Sequence, residues 1–179
     1  MSEHFPRIKE LLRIGWTGDA ARLAWKTGDA LFAETLTNQV IEESVNNKRI
    51  GDAARFAKEI YGADRGVEIL EEHEHFYQAA RMSREAGNEE KAQELFLKSG
   101  DVCFAHNDFF AGYKRLREGN IVEEHTDLVE QSIINLVKTR DVRDRSHAQI
   151  IAQETDNFNL YETQVEKWGK PNRGRCMIK

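Results

Sequence analysis

Apolar residues recur at three- and four-residue steps along nearly the whole chain, the spacing of one helix face, and no stretch alternates apolar with polar as a half-buried strand does. Pro6 suits the first turn of a helix, and the pattern predicts one carrying Ile8, Leu11, Leu12 and Ile14 before Gly15. Asp19 is expected to cap a short helix with Leu23, Ala24 and Trp25, closing at Gly28. Residues 30–46 keep helical spacing through Ala33, Leu36, Val40, Ile41 and Val45, with Thr37-Asn38 leaving open one helix or two. Asp52 is expected to begin the next, with Phe56, Ala57, Ile60 and Tyr61, ended by Gly62. Breaks near Gly62, His75, Gly87 and Gly100 lie twelve or thirteen residues apart, which suits short antiparallel helices of about ten residues joined by tight turns. Residues 101–118 read as one longer helix, and Gly119-Asn120 as the opening of another that carries Val122, Leu128, Val129, Ile133, Leu136 and Val137. Residues 140–145 form a charge run expected to be solvated. Two further segments, around Ile150-Ile151 and around Leu160, Tyr161, Val165 and Trp168, are expected to close the array as a terminal cap.

The heptapeptide Gly18-Asp19-Ala20-Ala21-Arg22-Leu23-Ala24 returns as Gly51-Asp52-Ala53-Ala54-Arg55-Phe56-Ala57, 33 residues later. Gly followed by Asp or Asn also occurs at 28–29, 87–88, 100–101 and 119–120. Glycine accepts the left-handed conformation past a helix end, and the Asp or Asn oxygen caps the next helix. A period of some tens of residues built from such units signals a helical array in which each unit buries its apolar face against its neighbours. The expected fold is all-α, a right-handed stack of short antiparallel helix hairpins with a C-terminal helical cap. One domain is expected over residues 1–168, followed by a basic, flexible tail at 169–179.

From Phe76 to Ser99 the chain resembles a tetratricopeptide repeat. Around Gly87 the large and small positions of that pattern are filled by Phe76, Ala80, Ala92, Phe96 and Ser99. Around Gly119 the small Gly112 fits and Glu124 does not; around Gly51 the small residue moves by one to Ala57, and the Pro usual after the second helix is missing. The short Ala-rich helices look equally like the irregular hairpin solenoids of coat and transport-complex subunits. The resemblance implies an α-solenoid that binds other proteins. It also implies that Tyr77, Arg81 and Arg84, ten, six and three residues before Gly87, face a concave groove, as do Phe109, Tyr113 and Leu116 before Gly119, with Arg117 adjacent.

A chain of 179 residues with net charge −5 offers no overall basic surface for phosphates, which argues against nucleic-acid binding. The cations of the last thirteen residues, Lys167, Lys170, Arg173, Arg175 and Lys179, stand without an acid among them. Two cysteines, Cys103 and Cys176, are too few for a disulfide framework, and the opening residues contain no basic stretch followed by an apolar one. A cytoplasmic protein without a membrane contact is expected.

The residues 71–75, Glu-Glu-His-Glu-His, are the one cluster with metal-ligand character, since Glu72 and His75 would share a face of a continuous helix. A di-iron bundle needs a second Glu-x-x-His and two further carboxylates, and the sequence supplies neither. Asp144 and His147 give a looser pair, and Cys103 beside His106-Asn107-Asp108 scatters around a helix. No phosphate loop, nucleophile elbow or zinc-type cysteine pair occurs. The expected function is therefore non-catalytic: an interaction module that presents a groove to an acidic peptide or protein, without cofactor. Its partner-binding residues are expected to be Tyr77, Arg81, Arg84, Phe109, Tyr113 and Arg117, since aromatic and Arg side chains are common interface anchors. The alternative is a helical metal-binding protein or enzyme built on residues 71–75.

Overall fold

The computed structural model describes residues 4–169, and among these every regular element is helical. The eleven α-helices fall in two compact units, Met1–Glu89 and Glu90–Lys179. No described helix is long and apolar enough to cross a membrane.

The first unit contains α1 (Phe5–Arg13), α2 (Thr17–Thr27), α3 (Ala30–Asn46), α4 (Ile50–Tyr61), α5 (Ala63–Glu72) and α6 (Phe76–Glu85), each packed chiefly on the next in sequence. Their contact faces are made of alanine. Ala20, Ala21, Ala24, Ala33, Ala53, Ala54, Ala57, Ala79 and Ala80 have no exposed surface, and larger groups such as Leu36, Phe56, Ile69 and Leu70 fill the spaces between. Side chains this small let helix axes approach to the short end of the usual 8–10 Å range. Gly66 marks the tightest point: a Cβ there would lie 2.8 Å from the Ala54 carbonyl oxygen and 2.6 Å from Met82 Sδ.

The second unit contains α7 (Glu89–Ala105, entering from the last residue of the first unit), α8 (Phe109–Glu118), α9 (Thr126–Lys138), α10 (Val142–Glu154) and α11 (Phe158–Trp168). Helix α9 is central and touches α8, α10 and α11. Its Val129, Ile133, Leu136 and Val137 meet Tyr113 and Leu116 of α8 and Ala148, Ile151 and Ala152 of α10 in one buried cluster. Helix α11 has no buried residue; Leu160, Tyr161, Val165 and Trp168 pack on that cluster while half exposed. Gly112 leaves the space that the Phe104 ring occupies, so α7 and α8 approach closely.

Several expectations about helix ends are corrected. Gly28-Asp29 does join two helices: Gly28 is left-handed, and Phe32 N–H donates to Asp29 Oδ1 at 3.4 Å. Asp19 and Asp52 do not cap, because α2 and α4 begin two residues earlier; both carboxylates instead pair with the arginine three residues on, Arg22 and Arg55. Gly100 does not break its helix. It is buried inside α7, 3.5 Å from the Gly112 carbonyl for an added Cβ, where it serves packing. The break in residues 101–118 comes at Asn107, with φ +61°, and Asp108, whose side chain accepts from Ala111 N–H. Residues 30–46 are one helix: Thr37 is buried, its hydroxyl donates to the Ala33 carbonyl, and it accepts from Trp25 Nε1 at 3.0 Å. Helix α9 starts at Thr126, after Asn120 turns with φ +56° and Ile121 docks in the core. Finally, the charge run is not wholly solvated, since Arg145 is only 4% exposed.

Replacing Ala57 or Ala92 by Leu should destabilise the fold by about 1–3 kcal/mol, because overpacking a close helix contact forces side chains off their rotamers. Gly66→Ala should also destabilise, since the Ala54 carbonyl it meets is main chain and cannot swing aside. Denaturant unfolding checks all three; unchanged midpoints would mean that these small residues do not set the helix separation.

Candidate functional site

Helices α2, α4 and α6 of the first unit each carry the tripeptide Ala-Ala-Arg, at residues 20–22, 53–55 and 79–81. The alanines are fully buried, which fixes the rotation of each helix and holds each arginine at the outer edge of the packed face. The three arginines differ in how their charge is met. Arg22 donates to Asp19 at 3.0 Å and reaches across to Glu59 of α4 with two bonds of 2.6 and 2.8 Å. That hydrogen bond to Arg22 holds the Glu59 carboxyl below the ordinary range. Arg55 pairs with Asp52 alone. In the third copy the residue three before the arginine is Gln78, an uncharged amide, and Arg81 lies over the Tyr77 ring, 6.0 Å from its centre. Arg81 makes no ion pair among the described residues.

Between α4 and α6 these side chains border a cleft of about 570 Å³. Arg55, Lys58 and Arg81 line it with a single carboxylate, Glu85, which binds Lys58 Nζ at 3.1 Å; Leu70 and Met82 supply apolar wall. Gln78 Oε1 lies 3.3 Å from where a Cβ on Gly51 would stand, so the glycine leaves room for the amide at the cleft edge. The arrangement suits a carboxylate-bearing side chain with an apolar neighbour. Arg84 turns elsewhere, with Nη2 2.9 Å from Glu89 Oε1 and Nε at 3.2 Å from both oxygens.

In the second unit, Tyr113 and Arg117 converge on Glu154 of α10. The Tyr113 hydroxyl donates to Oε2 at 2.7 Å, and Arg117 Nη1 donates to both oxygens at 2.7 and 2.9 Å. The Tyr113 bond first, and Arg117 with it, hold the Glu154 carboxyl below the ordinary range. Burial and the neighbouring carboxylate push the Tyr113 phenol well up, so it stays a neutral donor. The trio lines a cleft of about 580 Å³. Phe109 stands apart from them, lining a separate cleft beside Phe110, Lys114 and His147. The structure thus joins Tyr77 with Arg81 and Tyr113 with Arg117, places Arg84 against Glu89, and puts Phe109 on a different cleft from Tyr113 and Arg117.

Residues 71–75 do not lie on one helix. Helix α5 ends at Glu72, Glu74 turns with φ +60°, and His75 precedes α6, so the shared face that Glu72 and His75 needed is absent. Among the described residues no three of His, Cys, Asp and Glu are grouped to hold a metal ion. Burial pushes the Cys103 thiol up, away from the reactive thiolate. Cys176 and the tail cations from Lys170 onward lie outside the described residues. Sequence reasoning missed Arg55, Lys58 and Glu154. The signal for Arg55 was the third Ala-Ala-Arg at 79–81, which aligns α6 with α2 and α4 and marks one recurring surface position; nothing local marks Glu154.

Because the Glu154 carboxyl is depressed in the folded state, its contribution is full above the unfolded value, about 4.3, and is lost as pH falls through the folded one. Glu154→Gln should therefore flatten the loss of thermal stability below about pH 4.3 relative to the parent. Parallel pH profiles for the two proteins would show that the Tyr113–Arg117–Glu154 trio does not contribute to stability.

Comparison with known proteins finds no matching family model, no matching characterised protein and no matching solved structure.

Proposed function

We propose that this chain is a non-catalytic interaction module of the helical-repeat type, which presents the α2–α4–α6 face to an acidic segment of a protein partner. The observation that carries the reading is the cleft between α4 and α6, where Arg81 has no carboxylate and Arg55 has only Asp52. Three helices place an arginine at one repeated position, and only the first is fully neutralised from within. A face of this kind neutralises itself at one end and leaves positive charge at the other. The solenoid reading of the first unit draws on the same repetition, and on helices that pack mainly on their sequence neighbours.

Binding would work by preorganisation. Both α4 and α6 pack on α5, so Arg55 and Arg81 flank the cleft before any partner arrives. Tyr77 beneath Arg81 limits the rotamers of that side chain and lowers the ordering cost of binding. A partner carboxylate between the two guanidinium groups would make charge-assisted hydrogen bonds, and an apolar residue beside it would cover Leu70 and Met82.

Affinity capture from the native host, followed by binding of the recovered partner to purified variants, tests this. Arg55→Glu/Arg81→Glu should keep the helical circular-dichroism signal, because surface substitutions usually change stability by about 0.5 kcal/mol or less. It should weaken the partner more than tenfold, since removing one side of a close charge pair costs about 2–5 kcal/mol. Equal affinity for parent and double variant would move the binding surface away from this cleft. Arg84→Glu, at a position already paired with Glu89, should have a much smaller effect.

A further inference from the structure

We infer that the acidic segment received between α4 and α6 is supplied by a second copy of this chain, as residues 122–127 of its second unit. The inference rests on the acidic-partner reading of that cleft and names its occupant.

Residues 119–137 hold Glu123, Glu124, Asp127 and Glu130 and no Lys or Arg. All four acids are exposed, and none makes an ion pair among the described residues. Arg117 borders the same cleft as Glu123, but its short bonds go to both oxygens of Glu154.

The other acid-rich stretches are met from within. Glu68 and Glu72 share Arg65, Glu89 takes Arg84, and Glu94 takes Lys98. Residues 28–47 also lack Lys and Arg, but Asp29 caps α3 and Glu43 accepts the Gln39 amide. That leaves Glu34 and Glu42, about two helical turns apart, too far to act as one group.

The segment also has the local form that the cleft suits. Asn120 turns with φ +56°, Ile121 is 3% exposed in the core, and one 3-10 turn, Glu123–His125, leads into α9. The buried Ile121 anchors the turn, so Glu123 and Glu124 are presented beside the half-buried Val122 without a further ordering cost. Carboxylates with an apolar neighbour match a cleft where Arg55 and Arg81 stand beside Leu70 and Met82. The two surfaces differ, one in each unit, so the contact is heterologous and a bound copy still offers its own free cleft. A contact made mainly of exposed charges is weak and screened by salt, so assembly grows with concentration instead of stopping at a tight dimer.

Sedimentation velocity of the full chain at low ionic strength tests this. The parent should form species larger than a dimer as concentration rises, and added salt should return them to monomer. Arg55→Gln/Arg81→Gln and Glu123→Gln/Glu124→Gln/Asp127→Asn change only exposed side chains, and each variant alone should stay monomeric with its helical circular dichroism intact. Their equimolar mixture has one intact cleft and one intact acidic segment, and should form dimers that grow no further. A parent that stays monomeric, association that survives in either variant, or a mixture without dimers would overturn the inference. Any of these, with a captured partner that still requires Arg55 and Arg81, would remove the second copy and leave the acidic-partner reading standing. A captured partner indifferent to both arginines would instead defeat that reading as well.

Discussion

The close approach of helices through alanine and glycine is the constraint on which the rest of the first unit depends. Nine alanines with no exposed surface and Gly66 against a main-chain carbonyl leave the helices little freedom to slide or rotate. Interiors packed at crystal-like density transmit such constraints because gaps are costly. The main-chain positions that carry the outer residues are set by the same contacts. Glu59 reaches Arg22, Glu85 reaches Lys58, and a cleft with fixed walls remains between α4 and α6.

Charge then separates the faces. Arg22 of α2 is met by Asp19 and Glu59 and Arg55 of α4 by Asp52 alone, whereas α6 brings Gln78 where its counterparts bring aspartate. That one amide leaves Arg81 without the aspartate that Arg22 and Arg55 have three residues before them. In the second unit, Glu154 ties α8 to α10 through Tyr113 and Arg117, and Arg145 of α10 is buried. Surface ion pairs contribute little to stability, so the value of these patterns lies in which charges stay unmet.

The all-helical class was legible because the apolar spacing holds at every segment, and the burial of Ala80, Ala92, Leu95 and Phe96 follows from it. Helix ends were less legible, because a Gly-Asp pair has more than one use. At 28–29 it turns and caps; at 19 and 52 an arginine three residues on competes for the carboxylate; at 100 the glycine makes room for a neighbouring helix. Asn107-Asp108 turned the chain without a glycine. Of the six expected binding residues, Tyr77 and Arg81 share a face by helical spacing alone. Arg84 is drawn to Glu89 only five residues on, across the turn into α7, whereas the pairing of Tyr113 and Arg117 with Glu154 depends on long-range geometry that no local pattern carries. Arg145 was misread for a related reason: a charge run describes composition, and burial is decided by where the helix turns its face.

The most direct measurement of the account is a nuclear magnetic resonance titration of the isotope-labelled full chain with a hexaglutamate peptide at moderate salt. Amide shifts centred on Gly51, Arg55, Gln78 and Arg81 are the predicted result, with little change along α2, where Arg22 is already paired. Shifts that spread evenly over the surface, or that gather at the α9–α10 corner and spare α4 and α6, would contradict the claim that close helix packing builds a preformed receptor for acidic segments in the first unit.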